Sequence, residues 1–318
     1  MGFFKSFFTG QTESPETEQE KKKQKNFEIF KYDGIRAQRM GRSDYALKCF
    51  EEALKIHDDL EVAEYMVQAQ LQNRLTEAAR QTLQRMAEMK PDRKETFLTL
   101  ANVCYVLKDY DGMANAARQA ITIDKDEAKA YYLLGKAVGE TGDSLMSVAH
   151  LTQAIALDND FTDAYLLRAE TLMQMQQWNE AREDIGILLS QDAENENVYL
   201  LSGKLKEATA DFPGAEDDYK HTIELNPFNE HAYLALSQLF IAQNKLDEAI
   251  ALLNDAIDNR PDFAQAYQER GRAKLLKGDK EGSLEDTRKS IELAPKEMEQ
   301  LTGTFNSGQP PQRDILGL

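Results

Sequence analysis

Along most of the chain apolar side chains recur at the three-to-four-residue spacing of one helix face, and the pattern returns every 34 residues. Segments beginning at Leu60, Lys94, Ala128, Thr162, Glu196, Glu230 and Ala264 align without a gap. An eighth begins at Phe27, one residue out of step. With each unit numbered from its start, position 4 reads Phe30, Ala63, Phe97, Tyr131, Tyr165, Tyr199, Tyr233 and Tyr267. Position 8 reads Gly34, Val67, Ala101, Gly135, Ala169, Gly203, Ser237 and Gly271. Position 20 is Ala46, Ala79, Met113, Ser147, Ala181, Ala215, Ala249 and Ser283. Position 28 is aliphatic or alanine throughout, from Leu54 to Ile291.

Positions 4, 8 and 11 share one face of a helix, and positions 20, 24, 27 and 28 share a face of a second. Small residues at 8 and 20 let two antiparallel helices approach closely, and the aromatic at 4 fills the space beside them. Position 15 is where the first helix should stop, and it is glycine at Gly41, Gly142 and Gly278. Proline at position 32 (Pro91, Pro227, Pro261, Pro295) cannot continue the second helix and separates units. Trp178, the single tryptophan, falls at position 17, between the two helices.

The pattern resembles the tetratricopeptide repeat (TPR) family. The likeness is carried by Ala-Tyr-Tyr-Leu-Leu-Gly at 130–135, Trp-Asn-Glu-Ala at 178–181 and Leu-Asp-Glu-Ala-Ile-Ala-Leu-Leu at 246–253, and it spans residues 27–297. It implies an all-α fold, a right-handed superhelical α-solenoid of about eight TPR helical hairpins. The units fall near 27–59, 60–93, 94–127, 128–161, 162–195, 196–229, 230–263 and 264–297. Departures from the family pattern are bulky: Val67 and Met86 in the second unit and Met113 in the third. A flexible segment with a short amphipathic Phe-rich start is expected over 1–26. A partial capping helix through Met298, Leu301 and Phe305, then a flexible tail, is expected over 298–318.

A hairpin of this kind cannot bury its own apolar faces, so neighbours must stack. The resemblance implies that the first helices line a concave groove through positions 2, 5, 9, 12 and 13. Position 5 offers Leu98, Tyr132, Leu166, Leu200 and Leu234 in consecutive units, and position 12 adds Tyr105, Met173 and Ile241. Asn102, Lys136 and Lys204 at position 9 supply polar anchors for a peptide's carboxylates or carbonyls. The competing reading is that position 5 packs against the preceding hairpin. Some family members grip a terminal carboxylate with lysine at position 5 and asparagine at position 9. Here Asn102 is paired with Leu98, and Lys31 with Ile35, so that clamp is incomplete.

Charge narrows the classes of partner. A formal net charge of −17 disfavours nucleic acid, whose phosphates demand a basic surface. Two cysteines without a CxxC, and four histidines at unrelated repeat positions, give no metal site, and no cofactor motif occurs. Asp124–Lys125–Asp126 and Asp158–Asn159–Asp160 lack the glycine and closing glutamate of a calcium loop and read as turns. Phe3, Phe4, Phe7 and Phe8 share a short helix face ahead of Lys21, Lys22, Lys23 and Lys25, a combination that suits a weak membrane foot. Gly2 and Ser6 match the myristoylation pattern.

The expected function is a non-enzymatic scaffold or adaptor that binds protein or peptide segments in its groove. The expected location is cytoplasmic, or peripheral at the inner face of the membrane. Two alternatives stay open at this stage: a membrane-associated assembly or secretion-support factor anchored by the phenylalanines, and a regulatory subunit of an enzyme system.

Overall fold

The structure, a computed structural model, describes residues 15–294, with side chains from residue 18 onward. These residues form sixteen helices and no strand: an all-α helical-repeat solenoid. The first helices of the hairpins are α1 (Pro15–Arg39), α3 (Leu60–Gln72), α5 (Lys94–Val106), α7 (Ala128–Glu140), α9 (Thr162–Gln174), α11 (Glu196–Ala208), α13 (Glu230–Ala242) and α15 (Ala264–Lys277). The second helices are α2 (Ser43–Ile56), α4 (Thr76–Met89), α6 (Tyr110–Ile123), α8 (Ser144–Leu157), α10 (Trp178–Gln191), α12 (Phe212–Leu225), α14 (Leu246–Asn259) and α16 (Lys280–Leu293). From the second hairpin onward every first helix starts at the residue where the sequence repeat starts.

The chain divides into two compact units, 1–164 and 165–318. In the first, α1 packs on α2, α3 on α4, α5 on α6 and α7 on α8, while α2, α4 and α6 each also pack on the next first helix. In the second, α11, α13 and α15 pack on α12, α14 and α16, and α10, α12 and α14 pack on the first helix that follows.

The small-residue rows mark the closest approach of paired helices. All eight residues at position 20 are buried. Position 8 meets position 24 across the hairpin: a Cβ on Gly34 would lie 2.5 Å from the Phe50 ring, and one on Gly135 would lie 2.9 Å from Cγ of Leu151. Gly34, Gly135 and Gly203 thus sit opposite large side chains, and an added methyl would force those helices apart.

The turn at position 15 is more uniform than its sequence. Gly41, Gly142 and Gly278 have positive φ, and so do Arg74, Lys108, Gln176, Ala210 and Asn244, with φ between 57° and 62°. Every described hairpin therefore reverses through one left-handed residue. Position 16 then caps the second helix: Asp109, Asp143, Asp211 and Asp279 accept from the backbone N–H of residues 112, 146, 214 and 282.

The flexible segment expected over 1–26 is helical from Pro15. Proline suits the first helical turn, and Glu18 and Glu20 toward the positive end of the helix dipole precede Lys21, Lys22, Lys23 and Lys25, a favourable charge order. Residues 18–26 are exposed, and Phe27 is the first residue of α1 to enter the core. Phe3, Phe4, Phe7 and Phe8, the position 32 proline Pro295 and the expected cap at 298–318 lie outside the described residues. Among the described residues no helix is long and apolar enough to cross a membrane.

Candidate functional site

The first-unit residues expected to line the groove converge. Asn102 and Tyr105 from α5 and Tyr132 and Lys136 from α7 line one cleft of about 400 Å³, joined by Lys129, Phe161 and Asp163. Tyr105 and Asn102 lie three apart on α5, Tyr132 and Lys136 four apart on α7, so each pair shares a face of its helix. Leu98 lies beside this cleft, half-buried, as does Tyr132, against the core formed by Ala101, Cys104, Met113 and Leu133.

Aromatic contacts shape the cleft. The rings of Tyr132 and Phe161 lie 5.1 Å apart, tilted by 47°, and Tyr105 and Tyr110 lie 6.3 Å apart. Burial raises the Tyr110 phenol pKa, reinforced by the carboxylate of Glu140. Lys136 Nζ sits 3.8 Å from the centroid of the Tyr105 ring. A cation in that position gains about 0.5–2 kcal/mol from the ring, depending on its exposure to water.

That placement contrasts with other half-buried lysines. Lys31 Nζ bonds Glu61 at 2.6 Å, Lys94 Nζ bonds Asp124 and Glu127 at 2.6 Å each, and Lys245 Nζ bonds Glu216 at 2.9 Å. Neither Lys129 nor Lys136 has a carboxylate within ion-pairing distance among the described residues. In a chain of net charge −17, Lys129 and Lys136 outnumber the one carboxylate in the lining, Asp163, and make the cleft a local positive site.

The expected residues of the second unit do not form one surface. Leu200 and Ile241 are buried at 7% exposure each and belong to the same core cluster as Leu236, Leu239 and Phe240. Both side chains are therefore spent on packing, among residues of their own and the following hairpins, and are not offered to the groove surface. Leu234 is half-buried against Tyr233, Phe263 and Ala266. Leu166 and Met173 are half-buried, and Lys204 is exposed.

Two features were not read from the sequence. Phe161 occupies position 34, where neighbouring units carry Arg93, Glu127 and Asn195. With Phe263 it is one of two aromatics in a row otherwise polar at Arg93, Glu127, Asn195 and Asn229, and that was the available signal. The other is a row of buried acids at position 23. Asp184 takes two hydrogen bonds from Arg168 at 2.6 and 2.9 Å, and Asp286 takes two from Arg270 at the same distances. Lys274 adds an ion pair to Asp286 at 2.8 Å, and Lys206 pairs with Asp218 at 2.6 Å. These join the two helices of one hairpin and have a structural role.

Among the described residues no cluster of three or more histidines, cysteines or acids could hold a metal ion. The acidic turns are Asx turns: Asp124 accepts from the backbone N–H of Asp126 at 3.0 Å, and Asp158 from that of Asp160 at 3.1 Å. Hydrogen bonds from Lys94 and from the Asp126 backbone hold the Asp124 carboxyl below its usual pKa.

Profiles of the tetratricopeptide repeat match residues 202–275, 128–161 and 264–297. A solved tetratricopeptide repeat protein from Parabacteroides merdae superposes on 78% of this chain and 99% of its own, with a TM-score of 0.62 at 16% identity. This is a tetratricopeptide repeat protein. Its repeats also superpose on a chain of the Cut9–Hcn1 complex, over 82% of this chain and 51% of that one, with a TM-score of 0.55 at 14% identity. In sequence this repeat protein is similar to "DnaJ protein P58IPK homolog A" of Oryza sativa subsp. japonica, 24% identical over 65% of this chain and 40% of the relative. It is also 28% identical to human "Tetratricopeptide repeat protein 13", over 54% of this chain and 21% of that protein. The chain thus spans less than half the length of these curated relatives. The repeats make it a protein-interaction scaffold.

Proposed function

We propose that this scaffold holds a peptide segment of a partner protein in the cleft between α5 and α7, without catalysing a reaction on it. One observation carries the reading. Tyr105, Tyr132 and Phe161 present an aromatic wall, and Lys136 is held on that wall with no carboxylate of its own. A segment with an Asp or Glu beside an apolar side chain complements both features. The lysine gains its missing counter-charge in a half-buried setting, and the apolar group covers ring surface. A peptide with a basic residue there would meet two lysines against the single carboxylate of Asp163. Asn102, three residues from Tyr105, offers a side-chain amide to the peptide backbone, although its own Nδ2 bonds the Leu98 carbonyl at 2.9 Å. Its carbonyl oxygen remains to accept a peptide N–H.

Selection of a phage-displayed random-peptide library on the purified chain tests this, with the double variant Tyr132→Glu/Lys136→Glu as counter-selection. Both side chains are half-buried and outside the small-residue rows, so the variant keeps its helical content. Enriched peptides should carry Asp or Glu next to an apolar residue and lose about tenfold or more in affinity for the variant. Enrichment of basic peptides, or of peptides that bind wild type and variant alike, would refute the cleft.

A further inference from the structure

A second cavity, of about 330 Å³, lies between α3 and α5 in the same unit. Val67, Leu71, Leu83 and Met86 make it apolar; Val67 stands where the other units hold glycine, alanine or serine, and Met86 where all but one hold alanine, serine or threonine. At its rim Arg93 pairs with both Glu64 and Glu95, so no cation there is left free to recruit an acidic group. Thr96 lines it as well and is only 2% exposed.

Thr96 is the anomaly. It occupies repeat position 3, filled in the other units from the second onward by Val62, Ala130, Ala164, Val198, Ala232 and Ala266, all buried. Threonine has the shape of valine with a hydroxyl in place of one methyl. Among the described residues the Thr96 hydroxyl has no hydrogen-bond partner. A buried hydroxyl left unsatisfied is destabilising, and valine at this position would remove the cost without changing the packing. The neighbouring Thr99 hydroxyl, by contrast, bonds the Glu95 carbonyl at 2.8 Å.

We propose that this cavity is a second subsite for the same partner segment, taking an aliphatic side chain while the Thr96 hydroxyl meets a polar group of that segment's backbone. The inference rests on the cleft reading above and adds the partner's sequence requirement. One helix joins the two sites: α5 gives Thr96 and Thr99 to the apolar cavity and Asn102 and Tyr105 to the aromatic cleft. First helices of stacked hairpins are separated by about 10 Å, which is roughly three residues of extended peptide. The partner therefore carries an aliphatic residue roughly three positions from the Asp or Glu that reaches Lys136.

The test measures the affinity of an enriched phage peptide for the full chain carrying Leu71→Lys or Thr96→Val, with the melting temperature of each variant. Leu71 is 38% exposed, so a lysine there blocks the cavity without opening the core. Leu71→Lys should weaken the peptide about tenfold. Exchanging the peptide's aliphatic residue for alanine should cost the same, with no further loss when both changes are combined. Thr96→Val should raise the melting temperature and yet weaken the peptide about fivefold. Unchanged affinity of Leu71→Lys for a peptide that still requires Tyr132 and Lys136 overturns the second subsite and leaves the cleft reading intact. A lower melting temperature for Thr96→Val overturns the role of its hydroxyl. A library that yields no peptide dependent on Lys136 sinks the cleft reading and this inference together.

Discussion

Single residues divide into those whose role follows from volume and those whose role depends on a partner far away in sequence. The small residues at positions 8 and 20 were legible because close helix contact excludes bulk, and a constraint of volume leaves a row in the sequence. The acids at position 23 were not. Asp184, Asp218 and Asp286 look like part of a solvated face until Arg168, Lys206 and Arg270, in the preceding helix, are placed against them. For Asp286, burial pushes the carboxyl pKa up, but the hydrogen bonds from Arg270 and Lys274 outweigh it and the net shift is downward. An acid whose folded pKa lies below its unfolded value of about 3.9 stabilises the fold above that pH and loses the contribution as pH falls through the folded pKa. Asp286→Ala strips the counter-charge from Arg270 and Lys274 and should cost about 3 kcal/mol at pH 7. In denaturant titrations the gap between variant and wild type should narrow below about pH 4. A gap that stays constant to pH 2 would show that the charge is not what matters.

At the scale of the element, the first helices from α3 onward begin where the repeat frame begins, and the stop at position 15 was read from three glycines. The hairpin reversal itself is a property of the backbone. Arg74, Lys108, Gln176, Ala210 and Asn244 adopt the same left-handed conformation without being glycine. Side-chain identity reports this only where evolution happened to use glycine, so the other five turns were silent. An alanine in that region is strained by about 1 kcal/mol relative to glycine. Ala210 is exposed, so its methyl contributes no packing to offset the strain. Ala210→Gly should therefore stabilise the chain by about 0.5–1 kcal/mol, after the entropy that glycine adds to the unfolded state. A thermal melt that moves down instead of up would show that the turn is not strained. The extension of α1 to Pro15 shows the opposite limit. No apolar periodicity marks residues 15–26, and the order of acids and lysines along the helix dipole was the signal that repeat analysis passed over.

At the scale of the molecule, each described unit is a series of hairpins bonded to their neighbours through helix faces, and the repeat rows are the record of those faces. Recognition leaves a fainter record. Four of the eleven residues expected on the groove, Asn102, Tyr105, Tyr132 and Lys136, line one cleft, because positions 5, 9 and 12 are geometrically fixed on the first helix. Leu200 and Ile241 went into the core instead, since an apolar residue at those positions serves packing or binding equally well in sequence. Phe161 was missed because it belongs to the turn, where repeat frames carry little pattern. In the proposed function α5 and α7 are the elements that would meet the partner. Amide hydrogen exchange of the full chain, with and without the enriched acidic peptide, tests that placement most directly. The prediction is slower exchange within 94–106 and 128–140, and in the turn at 161, while 110–123 and 144–157 exchange as before. Protection confined to the second helices, or none at 94–140, would contradict it.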